Sequence, residues 1–381
     1  MNFKKIFFLS IFSIVLLEVF SYLASKSNLL LFNDPPKYLR YESEFKAYDW
    51  RTEKEKWGAW HKKNFSTRHQ KECFDVNYNT NEVGARSDFS FSKLKDNKNI
   101  VLLGDSFAEG LGVESKKIFP TILSKNYKLT LNFGSGGNFG TVQAYILYKE
   151  LAKKFPHDEV IYMFLPANDF HDNDFNYYKK FGFEKRYRPY FKKKLDGTFD
   201  IFYPKDSVQK NDFPYKNETK GFLNKLKKIL QDYTWTYNFL KSVKYIFQKN
   251  NNPNLIQTEN FGYFFNKDTE VDGTIYFLIK LFEEVDPSYE KSLIIIPTRK
   301  DLQNILLKEK SYQNLRWYNQ IKNLSEVYNV KIIDLALDQE ENINSSYIKN
   351  GIKNWFLQCD GHWNSIGHMH SKNMFLLRKN Y

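Results

Sequence analysis

A serine hydroxyl attacks an acyl group only when a neighbouring base takes its proton and fixed donors hold the oxyanion that forms. Four short blocks of this sequence carry groups suited to those tasks. Gly104-Asp105-Ser106 follows a short apolar run, Ile100 to Leu103, and precedes a segment with helical spacing. A serine there has its hydroxyl at the carboxyl edge of a strand and its N–H at a helix N-terminus, where a developing oxyanion is stabilised. Asp and Ser are also ordinary turn and N-cap residues. The stretch NFGSGGNFGT brings Asn132, Gly134 and Gly137; glycines let backbone approach a ligand closely, or simply make a flexible turn. In Pro166-Ala167-Asn168-Asp169 the Asn168 amide can donate towards the same point or close an Asx turn. Near the C-terminus CDGHWNSIGH holds Asp360 two residues before His362, a carboxylate able to orient an imidazole base.

In this order the four blocks resemble the SGNH hydrolases, the GDSL-type serine esterases and acyltransferases, from about Asn99 to Lys379. The resemblance implies a flavodoxin-like three-layer α/β/α sandwich with a mostly parallel five-stranded sheet. It implies Ser106 as nucleophile, His362 as general base and Asp360 as its orienting acid. The Ser106 N–H, Gly137 and Asn168 would form the oxyanion hole, an acyl-enzyme would form on Ser106, and no cofactor would be needed. Two departures stand out. Pro166 replaces the glycine of the family's third block, leaving Asn168 in place, and Cys359 stands where the family's acid usually lies, so that the pair is spaced D-x-H. The DxHW form is similar to that of the SGNH-like enzymes that O-acetylate bacterial exopolysaccharides, alginate being the known case.

These residues need a frame, and the chain alternates strand, loop and helix. Apolar runs at Ile100–Leu103, Leu129–Phe133, Glu159–Leu165, Leu293–Pro297 and Val330–Leu335 are the expected strands, with helix-length segments between them. That alternation implies a mostly parallel sheet covered on both faces, whose active site lies beyond the carboxyl ends of the strands. The expected domains are a membrane anchor or signal segment over 1–25, an N-terminal extension over 26–95, and a catalytic domain over 96–381 with an insertion at about 170–274. In the extension, WRTEKEKWGAWHKKN offers tryptophans as a substrate surface, and His61 as an ordinary surface residue or a substrate contact. In the insertion, the basic and aromatic stretch Tyr178–Lys194 reads as a solvated face or a surface for anionic lipid or glycan. A hairpin is expected around Asp196 and Gly197 and a basic amphipathic helix over Phe222–Phe247.

Lys4 and Lys5 precede an apolar stretch, Ile6 to Leu23, broken only by Ser10, Ser13, Glu18 and Ser21. At ~1.5 Å per residue it spans about 27 Å, close to the hydrocarbon thickness of a bilayer. A small-x-small cleavage site is hard to place, since Tyr22 and Leu23 occupy the positions it would need. A retained single-pass anchor is therefore expected, with the lysines inside and the catalytic domain periplasmic or at the cell surface. The 381 residues carry 42% hydrophobic, 27% charged and 18% aromatic side chains, which excludes a disordered chain, and a net charge of +13 that suits anionic surfaces. An extracytoplasmic chain argues against nucleic acid as the partner. Two cysteines exclude a disulfide scaffold and a zinc ribbon; Cys73 and Cys359 are expected to pair with each other, the alternative being two buried thiols. His368 and His370 lack further ligands at metal-binding spacing.

The resulting expectation is a membrane-anchored serine esterase or O-acyltransferase that moves a small acyl group on or off a carbohydrate or lipid hydroxyl, acetyl esters of glycans being the expected substrates, within a polysaccharide-modification assembly. Two alternatives stand beside it: a catalytically silent SGNH fold that binds glycan, and a phospholipase-like lipid esterase.

Overall fold

The structure, a computed structural model, describes residues 3–26, 50–71, 73–95, 98–180, 185–210, 222–251, 261–307, 311–358 and 360–379. A long helix, α1 (Phe3–Lys26), is followed by two small sheets: β1 (Arg51–Glu55) with β2 (Gly58–His61), and β3 (Ser66–Lys71) with β4 (Phe74–Asn79). Then come β5 (Asn99–Gly104), α2 (Ser106–Glu109), α3 (Phe119–Asn126), β6 (Leu129–Gly134), α4 (Thr141–Glu150), β7 (Glu159–Phe164), α5 (Pro166–Asp172) and α6 (Phe175–Lys179). The hairpin β8 (Tyr190–Lys193) and β9 (Phe199–Phe202) precedes α7 (Phe222–Tyr233) and α8 (Trp235–Asn251). The chain ends with α9 (Asp268–Glu284), β10 (Glu290–Ile295), α10 (Arg299–Leu307), α11 (Arg316–Tyr328), β11 (Val330–Asp334), α12 (Ser345–Asn354) and α13 (Ser365–Lys379).

The five expected apolar runs form one sheet, ordered β11-β10-β7-β5-β6, with every neighbouring pair parallel. All six residues of β5 and of β7 are buried, because helices cover both faces of a parallel sheet and leave no polar face to alternate with. Read by position in the chain, the order is the doubly wound one of a flavodoxin-like fold, in which the winding reverses between the first and third strands. Here that point lies between β5 and β7, whose register pairs Leu103 with Tyr162 and Gly104 with Met163. Around the sheet, α9 packs on α4 and α11, while α3 packs on α13. Gly104 lets the sheet close there: it has φ +148°, and a Cβ on it would stand 2.9 Å from Ala108 Cβ and from Met163 Cβ and O.

Backbone contacts divide the chain into two units, one gathering α1, α7 and α8, the other the sheet, its helices and the β1–β2 and β8–β9 hairpins. The hairpin expected around Asp196 and Gly197 is present as β8 and β9. The single helix expected over Phe222–Phe247 is two. Thr234 separates them: its Oγ1 accepts from Tyr237 N–H, while Asn238 Nδ2 donates to the Gln231 and Thr234 carbonyls, so local side chains satisfy the backbone groups that the break exposes.

Two expectations about surfaces are corrected. Trp50, Trp57 and Trp60 form no exposed substrate surface but are buried; Trp60 stacks on Phe133 of β6 with centroids 6.5 Å apart and Trp57 meets it edge-on. Burying rings of that size outweighs any gain from leaving them wet. In the stretch Tyr178–Lys194, Arg186 and Arg188 are not solvated: they are 4% and 0% exposed. Arg186 Nε donates to Glu53 Oε1 at 2.6 Å and Arg188 Nη2 donates to Gln143 Oε1 at 2.8 Å, since buried carboxylates and carbonyls need cationic partners. The expected pairing of Cys73 with Cys359 falls on a residue outside those described.

Trp60→Ala should therefore cost about 3–5 kcal/mol of stability, whereas Leu195→Ser, on the exposed β8–β9 turn, should stay within about 0.5 kcal/mol. Urea-unfolding midpoints of the two variants check both.

Candidate active site

The turn from β5 into α2 sets the first group. Asp105 is the N-cap of α2: its Oδ1 accepts from Phe107 N–H at 2.9 Å, which fixes the backbone so that Ser106 opens the helix at the carboxyl end of the sheet. Asp105 Oδ2 accepts from Asn168 Nδ2 at 2.9 Å, joining the turns that follow β5 and β7 across the point where the winding reverses. Burial pushes the Asp105 carboxyl up to about 7, against the Phe107 N–H, His362 and Asn168, which all favour its charged form.

Ser106 Oγ lies 2.6 Å from His362 Nε2. On the other side of the ring, His362 Nδ1 is hydrogen-bonded to Asp360 Oδ1, which also accepts from His362 N–H at 3.1 Å. One carboxylate oxygen thus sets both the ring and the backbone of the histidine, and a two-residue spacing is what brings them together. The loop is closed by Leu357 N–H donating to His362 O at 2.8 Å and by a bridge between Phe356 and Trp363. Buried Trp363 packs edge-on against Phe107, 5.2 Å between centroids, and Phe107 lies under the imidazole at 4.9 Å. The helix after the loop, α13, is preceded by Asn364, whose Oδ1 accepts from Ile366 and Gly367 N–H.

Gly137 has φ +84°, a conformation that favours glycine. Among the described residues neither its N–H nor that of Ser106 donates to another protein group. Its carbonyl is held by Arg186 Nη2 at 3.0 Å. Asn132 is a turn residue, its Oδ1 accepting from Gly134 N–H at 3.0 Å, and Ser135 N–H donates to Gly104 O at 3.1 Å. Asn168 sits in the first turn of α5. That turn is held by the next residue: Asp169 accepts from Leu165 N–H at 2.7 Å, Tyr162 OH at 2.6 Å and Thr141 Oγ1 at 3.1 Å, and burial raises its carboxyl well above the usual range.

Several residues of this neighbourhood escape sequence reasoning. Glu109, at the end of α2, is fully buried and accepts from Arg51 Nη2 at 3.2 Å and from Gly136 N–H, with His61 Nε2 at 3.7 Å. Burial alone would raise its carboxyl, but Arg51, then His61 and Arg86, bring it down to about 2. His61 is accordingly neither a surface residue nor a substrate contact; it is buried, and its ring stacks on Trp50 at 4.6 Å. The available signal was the close spacing of tryptophans 50, 57 and 60 among charges, since rings at that density are buried and take neighbouring charges with them. His368 and His370 are structural. His368 Nδ1 accepts from Phe119 N–H at 3.2 Å, and His370 stacks on Trp355 at 4.1 Å; burial first, then nearby charge, lowers them to about 3 and about 4. Among the described residues no group of three or more His, Cys, Asp or Glu is placed to hold a metal ion.

Glu109→Gln leaves the buried Arg51 charge uncompensated and should cost about 3–5 kcal/mol at neutral pH. Because the folded carboxyl sits near 2 rather than the ordinary 4.5, its contribution is present above about pH 4.5 and lost as the pH falls towards about 2. The stability gap between wild type and variant, read from denaturant unfolding, should narrow across that window.

No protein-family profile and no curated protein sequence matches the chain. Among solved structures the chain is similar to a lipase/acylhydrolase from Enterococcus faecalis, at 11% identity and a TM-score of 0.34, over 74% of this chain and 96% of that one. A superposition that loose bears on neither chemistry nor substrate.

Proposed function

We propose that the protein is a serine ester hydrolase or O-acyltransferase of the SGNH type, acting through an acyl-enzyme on Ser106, with acetyl esters of glycans as its substrate class. The observation that carries this reading is the 2.6 Å contact between Ser106 Oγ and His362 Nε2, with Asp360 on the far side of the same ring. In the proposed reaction His362 Nε2 takes the hydroxyl proton as Oγ attacks the ester carbonyl. Asp360 holds Nδ1–H and balances the imidazolium that results. The tetrahedral oxyanion is held by the N–H groups of Ser106 and Gly137 and by the side-chain amide of Asn168. His362 then returns the proton to the departing alkoxide, leaving the acyl group on Ser106. Water or a sugar hydroxyl, deprotonated by His362, attacks the acyl-enzyme and frees Ser106; these two acceptors distinguish hydrolysis from transfer.

The same proposal places the protein at a membrane. α1 contains a 21-residue stretch, Lys4–Ala24, of mean hydropathy 2.3, long and apolar enough to cross a bilayer. Lys4 and Lys5 at its start favour an inside N-terminus, which puts the unit carrying Ser106 outside the cytoplasm.

A fluorophosphonate probe should label the wild-type protein and not Ser106→Ala, and the substitution should lower turnover of p-nitrophenyl acetate by at least about 10³-fold. Asn168→Ala should lower kcat by about 10²- to 10³-fold. Acetylated sugar formed when an oligosaccharide acceptor is added would select transfer over hydrolysis. A folded wild-type protein that takes no label would sink the catalytic reading and leave a glycan-binding module.

A further inference from the structure

Glu18 interrupts the apolar stretch of α1, and an ionised carboxylate alone in hydrocarbon is costly. In the structure it is not alone. Its Oε2 accepts from Trp235 N–H at 2.8 Å and its Oε1 from Thr236 N–H at 3.2 Å, so it caps the N-terminus of α8, where unpaired N–H groups and the helix dipole favour a negative charge. Ser21 Oγ donates to Thr236 Oγ1 at 3.4 Å, Tyr22 meets Trp235 edge-on at 5.1 Å, and Phe20 meets Phe239 at 5.7 Å.

These contacts are confined to one end of α1. Residues 4–17 are exposed without exception, and the covered positions, Glu18, Ser21 and Ala24, recur every three residues along one face of the last turns. Glu18 lies fourteen residues beyond Lys4, about 21 Å along the axis at ~1.5 Å per residue. The start of α8 therefore meets α1 in the outer third of a hydrocarbon core ~30 Å thick, within about 9 Å of where it gives way to head groups. Only Thr234 separates α7 from α8, which brings the end of α7 to that level too. Tyr22 meets Trp235 there, and Tyr233 and Tyr237 lie within two residues of Trp235 in the chain, the residue types that favour a membrane–water boundary.

α7 has the pattern of a helix that lies in that boundary. Phe222, Leu223, Leu226, Ile229 and Tyr233 follow one stripe at helical spacing and are all exposed, between 42% and 78%. Lys225 and Lys227 stand off the stripe and are exposed as well. Twelve residues reach about 18 Å, too short to cross a bilayer, while an apolar stripe edged by lysines suits its interface.

We infer that α7 and α8 form a second membrane element: a helical hairpin seated on the outer turns of α1, with the apolar stripe of α7 in the lipid interface and its lysines among anionic head groups. The inference rests on the proposed spanning role of α1. The test places a photoreactive p-benzoyl-phenylalanine at Ile14, at Ile229 or at Lys227 of the full chain. Each variant is reconstituted in vesicles of phosphatidylcholine with phosphatidylglycerol, and lipid adducts are counted by mass spectrometry after illumination. Ile14 should give lipid adducts, Ile229 should give several-fold more than Lys227, and the Ile229 yield should fall several-fold without phosphatidylglycerol. Adducts at Ile14 with none at Ile229, or with protein adducts there instead, would overturn the inference while leaving the anchor intact. No lipid adducts at Ile14 would overturn the anchor itself. A yield at Ile229 indifferent to phosphatidylglycerol would overturn the role given to the lysines.

Discussion

One buried charge, that of Glu109, holds the surroundings of Ser106 together. The carboxylate lies at the end of the helix that Ser106 begins, yet its partners come from far away in the chain: Arg51 and His61 from the β1–β2 hairpin, and the Gly136 N–H from the turn after β6. A carboxylate in a dry site is tolerable only when it is paired and hydrogen-bonded. That requirement makes the N-terminal hairpin an obligatory part of the unit that carries Ser106 and draws the glycine turn against α2. Arg186 completes the arrangement from the opposite side by holding both the Gly137 carbonyl and Glu53 of β1. The glycine turn after β6 is thus held from one side by Glu109 and its partner Arg51 and from the other by Arg186.

The sheet supplies the remaining constraint. Ser106 and Asn168 follow β5 and β7, adjacent strands that share a register and end together, so the two turns emerge side by side without special arrangement. The hydrogen bond from Asn168 to Asp105 closes that gap directly. Asp105 therefore serves α2 as its cap and α5 as an anchor, and its raised carboxyl reflects the burial that this dual role imposes.

What the sequence revealed follows from what each part of the fold asks of its residues. The strands were legible because burial on both faces demands unbroken apolar runs; the ladder runs past the last apolar side chain to Gly104 and Gly134, while β7, β10 and β11 stop one or two residues before their apolar runs end. The groups at the strand ends were legible because sharp turns restrict residue choice. The buried ion pairs were not. Arg51, Glu53, Arg186 and Glu109 have the composition of a solvated face, and only their tertiary partners, often more than fifty positions away, make their burial tolerable. The break at Thr234 was hidden for a related reason: the apolar spacing runs on across it, and the capping group for the second helix, Glu18, lies 217 residues earlier.

The distance along the chain between Ser106 and His362, 256 residues, has a consequence in time. Chains are made at about 5–20 residues per second, so the serine leaves the ribosome tens of seconds before its base does. The loop from Phe356 to Trp363 appears after all five strands, and Asp360 and His362 meet within it. A nascent chain cut short of Phe356 can thus have Ser106 and all five strands and still lack the imidazole that contacts the serine hydroxyl.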